Sequence, residues 1–384
     1  MKIPEIMNFI SEEEIERLGH HYKIDKINNK ITGQFILKSF IKCALMGYKM
    51  SLRGIETICN NSQDLLSMLK TNTPAKVIID HSSIGKRLKT INVDYFEAIF
   101  KDLVLKYNER FAKNDSNKFH IFDSTIINIS GKLLKDGLDL GGKVNNKHIK
   151  ISFGLKHSIP SSVRFCTEQS ESSEDLALVR AINEAKLEKE DIILFDRGIS
   201  NANTFNKFNQ EEKQFITRVK VNRRYELVKT QERILLSNSE LEIISDDIVH
   251  LYANGTKKIN SNMRLIKARN KQGDELWFLT NVMYLSNYDI ASIYKNRWDI
   301  EVFFKFLKQH LQLKHFISYN QNGMKVYIYC LLIAAILFVI FKITNKLSGF
   351  KIALLQFTLL LEKEIIKDIV IFSGGNPDLA ELKL

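Results

Sequence analysis

Sixteen consecutive uncharged, strongly apolar residues, VYIYCLLIAAILFVIF from Val326 to Phe341, lie between Lys325 and Lys342. A helix without a polar face has to be covered on every side. A membrane span takes about 20 residues (range about 17 to 25), so this run sits at or below the spanning length. It reads as a fully buried core helix, with a membrane-associated segment as the alternative, and it demands a large core around it. The chain has the material: 384 residues, 45% of them hydrophobic, can support two or three domains.

The hydrophobic pattern changes along the chain. Residues 1–113 have helical spacing, with Ile36, Phe40, Ile41, Ala44 and Leu45, then Ile55, Ile58, Leu65, Leu66 and Leu69. The polar stretch Lys113 to Lys118 reads as a linker. Strand-like runs follow: FHIFDSTIINIS, HIKISFGLKHSI and SVRFCTE, then a helical ALVRAINEAKLEK and a strand-like DIILFDRG. Three strands, a helix and a fourth strand form the front half of a ribonuclease H-like fold, an α/β sheet with mixed strand direction. Residues 214–279 add FITRV, LEIIS, IVHLY and MRLIKAR, a β-rich insertion. The expected fold class is therefore α/β: a helical N-terminal domain over 1–113, a ribonuclease H-like core with its insertion over 119–345, and a helical segment over 346–384. That last segment suits closing the core or pairing with a second subunit.

Two strands are expected to end in an acid. Asp123 follows the apolar run Phe119 to Phe122, and Asp196 follows Ile192 to Phe195. A buried strand that ends in Asp puts a carboxylate at the mouth of the sheet, where open α/β sheets gather ligands. Singly, each is equally at home in a turn or a helix cap. A third acid lies in YKNRWDIEVFFKFLK, Tyr294 to Lys308. At about 100° per residue, Tyr294, Arg297, Glu301 and Lys308 fall within an arc of roughly 60°, opposite Ile300, Phe303, Phe306 and Leu307. The segment reads as one amphipathic helix, with Trp298 as a packing residue. Alone, it is a solvated face with an ordinary i,i+4 pair.

Taken together, the FDST and LFDRG strings and the order Tyr, two residues, Arg, three residues, Glu, six residues, Lys resemble the insertion-sequence transposases of the family numbered four, which are DDE enzymes. The likeness covers roughly residues 119–345, and a β-rich insertion before the last acid is part of it. Relatives commonly have an aromatic after the second acid's string, where this chain has Ile199. The resemblance implies that Asp123, Asp196 and Glu301 are the catalytic metal ligands. It also implies that Tyr294, Arg297 and Lys308 hold DNA near the transposon end, and that Trp277 stacks on a flipped base. A core-strand role for Trp277 has an equal claim. Three converging carboxylates repel one another unless hard cations neutralise them. Two Mg²⁺ ions, with Mn²⁺ as substitute, would serve an in-line phosphoryl transfer. The implied reaction is cut-and-paste transposition by a homodimer acting on terminal inverted repeats and target DNA.

Charge agrees with a polyanionic partner: 56 Lys and Arg against 44 Asp and Glu give +12. Arg218, Lys220, Arg223 and Arg224 form the densest basic cluster, and Lys143, Lys147, Lys150 and Lys156 stud the segment between the first two acids. All are candidate phosphate contacts. His157 suits a place behind the site's ligands, but a lone strand histidine reads first as a satisfied structural one. Near the N-terminus, IDHSSIGKRLKTIN looks like a Ser-capped basic helix, with Ser82, Ser83, Lys86, Arg87 and Lys89 on its first turns, suited to the major groove. Cys43, Cys59, Cys166 and Cys330 form no paired motif, and MKIPEIMNFISEEEIERL has no signal-length apolar core. The expectation is a cytoplasmic, nucleoid-associated protein with no membrane partner. A structure-specific nuclease and a non-catalytic DNA-binding descendant are the alternatives.

Overall fold

The computed structural model describes residues 3–26, 30–47, 51–69, 78–113, 118–130, 137–139, 146–231, 241–254, 257–313, 317–318 and 320–376. Lys143 and most of the expected linker lie outside them. Two compact units emerge. One combines the chain through Lys113 with Phe304–Leu384, and the other is built from the chain between them, through Phe303. The boundary expected at 345 thus falls some forty residues earlier, because the C-terminal helices pack with the N-terminal ones.

The first unit begins with α1 (Ile3–Met7), α2 (Glu12–His21), α3 (Gly33–Leu45), α4 (Leu52–Asn60), α5 (Gln63–Ser67), α6 (His81–Thr90) and α7 (Val93–Tyr107). Several start where a side chain satisfies an orphan N–H: Ser11 and Glu14 form a capping box, Thr32 accepts from Phe35, and Ser51 accepts from Gly54. Ahead of α6 the cap position is Asp80, not a serine. The second unit supplies β1 (Phe119–Ser130), β2 (Asn146–Lys156), β3 (Ile159–Cys166), α8 (Glu174–Glu184), β4 (Ile192–Phe195), α9 (Ala202–Gln210) and β5 (Gln214–Val219). β6 (Tyr225–Thr230), β7 (Leu241–Asn254), β8 (Lys257–Lys258), β9 (Met263–Asn270), β10 (Glu275–Thr280) and α10 (Asn287–Lys295) follow. The helix α11 (Trp298–Gln309) leads back into the first unit, which closes with α12 (Gln321–Thr344) and α13 (Phe350–Phe372).

α12 contains the apolar run, and every residue from Val326 to Phe341 is buried. It packs against α3, α6 and α7, with Phe338 stacked on Phe306 at 4.9 Å. This is the one described helix long and apolar enough to cross a membrane, and 89% of its most apolar window is buried inside the protein. A helix with no polar stripe is here the axis of a helical core.

Arg87 departs from its expected DNA-reading role. Its side chain turns inward, donating to Ile31 O, Ile24 O and Asp25 Oδ1, and is 8% exposed. A guanidinium satisfied by two carbonyls and a carboxylate is a clamp on the chain between α2 and α3. Lys86, on the same helix, is exposed. Breaking such a buried pair costs about 3 to 5 kcal/mol. Arg87→Met should therefore lower the thermal midpoint sharply, as read by circular dichroism, while Lys86→Ala leaves it unchanged. Equal midpoints for the two variants would refute the clamp.

In the second unit, the sheet order is β3-β2-β1-β4-β5-β10-β9-β7-β6, with β8 paired to β7. β1, β4 and β5 are parallel, and the other pairings are antiparallel. The β-rich stretch is thus no separate module. β5 hydrogen-bonds to β4 on one edge and β10 on the other, so the insertion extends the same sheet. Its core gathers Phe195, Phe205, Phe208 and Phe215 with Leu178 and Ile182, and Ile199 is buried among them. β2 and β3 join through a two-residue turn in which His157 and Ser158 take φ of 52° and 67°. His157 is therefore a turn residue, in the left-handed conformation that two-residue hairpins favour.

Candidate active site

Strand register brings the first two acids together. β1 pairs with β4 in parallel at Phe119↔Ile192, His120↔Ile193 and Ile121↔Leu194. Continuing that register by two residues aligns Asp123 with Asp196. Neighbouring strands lie about 4.8 Å apart, so this register sets Asp196, one residue past the end of β4, next to Asp123. β4 stops at Phe195, as expected, and Asp196 follows it. β1 does not stop: it runs on to Ser130 because β2 continues to pair with it, with Asp123 opposite Phe153. Asp123 is thus a mid-strand residue just beyond the point where β4 leaves its edge open.

Asp123 Oδ1 accepts from Ser124 N at 2.7 Å, and Asp196 Oδ1 accepts from Gly198 N at 2.7 Å. Burial pushes the Asp123 carboxyl up to about 7. The Ser124 N–H and the charge of Arg297 pull it down, while the negative charges of Asp196 and Glu174 push it further up. Carboxylate oxygens short of positive charge are the donors that hard divalent cations prefer, so the chemistry of these residues suits such an ion.

Glu301 reaches this group through Arg297. The Arg297 guanidinium donates to Glu301 Oε1 at 2.5 Å, and its charge is felt at Asp123. Burial works against the Arg297 charge, but the bond to Glu301 holds its pKa above the usual value. The expected single helix is divided here. α10 ends at Lys295 and α11 starts at Trp298, and the backbone N–H groups of Asn296, Arg297, Asp299 and Ile300 bond i→i−3. Asn296 also donates its side-chain amide to Ile293 O, which competes with the regular ladder. The turn redirects the signature residues. Tyr294 is 8% exposed, edge-on to Phe278, and burial raises its hydroxyl to about 12. It is a packing residue beneath Arg297 rather than part of an open polar arc. Trp298 moves the other way: expected to pack, it is 60% exposed. Ile300 and Phe303 are buried as expected.

Beside the acids lies a basic cavity of about 300 Å³, lined by Arg197, Arg218, Lys220, Arg223, Arg224 and Tyr252 among others. Arg224 lies over the Tyr252 ring, and Arg223 donates to Ser200 O and Tyr252 O. The Nε atoms of Arg218 and Arg223 are buried without a hydrogen-bond partner. Burial lowers the Arg223 pKa, with Asp175 the nearby negative charge that opposes the shift. On the adjoining β10, Trp277 is half-buried, edge-on to Tyr225, with Lys267 over its ring at 4.7 Å.

Residues 116–337, more than half of the chain, match the Transposase DDE domain family. The chain belongs to that family. Among its transposase relatives, the putative transposase y4zB of Sinorhizobium fredii is 28% identical over 166 residues, which are 43% of this chain and 46% of that protein. A probable transposase for insertion sequence element IS5377 of Geobacillus stearothermophilus is 22% identical over 67% of this chain and 66% of its own length. The putative transposase for insertion sequence element IS4SA of Synechocystis is 24% identical over 70% and 73%. The chain thus spans less than two thirds of the first two relatives. In fold it is similar to the piggyBac transposase of a synaptic complex with hairpin DNA, with a TM-score of 0.51, 10% identity and coverage of 96% of this chain and 82% of that one.

Within this transposase-family chain, Asp123, Asp196, Arg297, Glu301, Tyr294 and the Arg218 cluster all belong to the second unit. Lys308, Lys86 and Arg87 lie in the first unit. Lys147 is ion-paired to Asp139, Lys156 to Asp191, and Lys150 is buried, so none of these three is an open phosphate contact. Sequence reasoning passed over Glu174, Arg197 and the exposure of Trp298. Arg197 adjoins Asp196 and was within reach of a charge count; Glu174 carries no local signal. Among the described residues, the group of His, Cys, Asp or Glu side chains whose ligand atoms lie within 4.8 Å of one another is Glu56, Asp80 and His81, not the three acids; there the His81 ring and backbone N–H already bond Glu56, and Asp80 accepts from Ser82.

Proposed function

We propose that this protein is a DNA transposase of the insertion-sequence type. It would cut DNA at terminal inverted repeats and join the freed 3′ ends to target DNA, using Asp123, Asp196 and Glu301. The observation that carries this reading is the shared register of Asp123 and Asp196, with Glu301 tied to the same group by Arg297. The strand order β3-β2-β1-β4-β5, with β2 antiparallel, supports a ribonuclease H-like core. Mg²⁺, or Mn²⁺ in its place, would be held by the three carboxylates and would supply charge stabilisation at the reacting phosphate. Asp123 lies within β1 and Asp196 directly follows the neighbouring β4, so the two need little reorganisation. Arg297, bonded to Glu301 and with its charge reaching Asp123, limits the repulsion of the acids and holds the Glu301 side chain. The Arg218 cluster seats the phosphate backbone, and Trp277 or Trp298 offers an aromatic face to a base. A cytoplasmic, nucleoid-associated protein is part of the same reading, and burial of α12 accounts for its apolar run as core.

Incubating the protein with Mg²⁺, a duplex carrying its gene's flanking sequences and a target plasmid tests the reading. Breaks at the repeat boundary and products joined to the plasmid are expected. Breaks that never yield joined products would make it a nuclease, and binding without breaks a DNA-binding descendant.

A homodimer is part of the proposal, and α13 supports it. Ala353, Phe357 and Leu361 face the core, whereas Ile352, Leu355, Leu359, Ile366 and Ile369 are exposed. At about 100° per residue those five fall in an arc of roughly 100° on the opposite side. Ile352, Leu359 and Ile366 repeat every seven residues, the seam of a helix pair, which suits a second copy. Leu355→Glu combined with Leu359→Glu should convert a dimer to a monomer in light scattering. An unchanged mass, whether monomer or dimer, would remove α13 from the interface.

A further inference from the structure

Lys150 is 1% exposed and lies on β2, the strand paired with β1. Its ammonium donates to Glu174 Oε2 at 2.7 Å and to Ser172 O at 3.1 Å. A buried ammonium is costly unless it is paired, so the lysine pins the carboxylate. Glu174 opens α8, where the helix N-terminus favours negative charge. The pinned side chain also lies against Gly198, two residues after Asp196. A Cβ placed on Gly198 would come 2.6 Å from Glu174 Cγ and 2.9 Å from Asp196 Oδ1, so both side chains crowd one bare backbone position.

We propose that Glu174 is a fourth carboxylate of the cation site, a positioning residue held by buried Lys150. The proposal rests on the reading of Asp123, Asp196 and Glu301 as cation ligands. The negative charge of Glu174 is felt at Asp123. A structural ion pair alone would stabilise α8 against the sheet, whereas a carboxylate at this place also raises the attraction for a divalent ion. It gives Lys150 a second use: by accepting part of the Glu174 charge it keeps four acids from repelling one another apart.

The test uses the full chain and MnCl₂, with bound Mn²⁺ read by electron paramagnetic resonance and by the shift in thermal midpoint. Glu174→Gln should raise the half-saturating Mn²⁺ concentration on the order of tenfold, the usual scale for losing an outer partner of a metal site. It also strands Lys150, so the double variant Lys150→Met with Glu174→Gln removes both charges. That variant should fold and show the same weakened Mn²⁺ binding, whereas Glu174→Asp should recover part of it. If the parent chain binds Mn²⁺ and both Gln-bearing variants match it within about twofold, Glu174 is only structural and the proposal falls. If the parent chain itself shows no Mn²⁺ binding, the three-carboxylate reading falls and takes this one with it.

Discussion

Glu301→Gln should lower strand cleavage by about 10³-fold or more while binding of terminal-repeat DNA in EDTA stays within about twofold. The amide keeps the shape of the side chain and one acceptor for Arg297, so α11 and the turn at Asn296 have no reason to move. What it removes is a negative charge, and with it part of the cation affinity on which phosphoryl transfer depends. Cleavage of a labelled end duplex and a gel-shift titration read the two quantities separately. Cleavage within tenfold of the parent would exclude Glu301 from the chemistry. Equal loss in both assays would mean that it holds DNA instead.

The triple variant Arg218→Ala, Lys220→Ala and Arg224→Ala should weaken DNA binding on the order of 10²-fold at moderate salt. Removing three phosphate contacts should also reduce the slope of log affinity against log salt by about 2 to 3. These side chains border the basic cavity, and no acid is among the residues lining it. Arg223 is left out because its guanidinium bonds Ser200 O and Tyr252 O, so its loss would act on the fold. Fluorescence anisotropy at several salt concentrations decides the matter. An unchanged slope would place the DNA backbone elsewhere, whatever happens to affinity at one salt.

Much of the candidate site was legible in the order of residues. The apolar run before Asp196 predicted a short buried strand, and β4 is four buried residues long. The i,i+4 spacing of Arg297 and Glu301 predicted their pairing, which survives the helix break because Arg297 immediately precedes α11 and Glu301 lies in its first turn. Tyr294 and Trp298 were misplaced for one reason. Both assignments assumed an unbroken helix, and a single tight turn rotates everything before it relative to everything after it. Arg87 was misread because charge in a sequence carries no information about direction, and the carbonyls that receive it come from residues more than fifty positions away. Lys150 and Glu174 fall under the same limit.

The sequence by itself determined the family, the helical and strand-rich segments, a buried helix from Val326 to Phe341 and the three acids of the proposed chemistry. These follow from local pattern: side-chain periodicity, caps and spacing act over a few residues. Only the tertiary structure decided that the β-rich stretch extends the same sheet, that the C-terminal helices join the N-terminal ones, and that Glu174 and Asp196 both crowd Gly198. Those outcomes depend on strand pairing and on ion pairs between distant segments. The register that aligns Asp123 with Asp196 joins residues 73 positions apart, and hydrogen bonds between strands, not the letters beside either residue, set it.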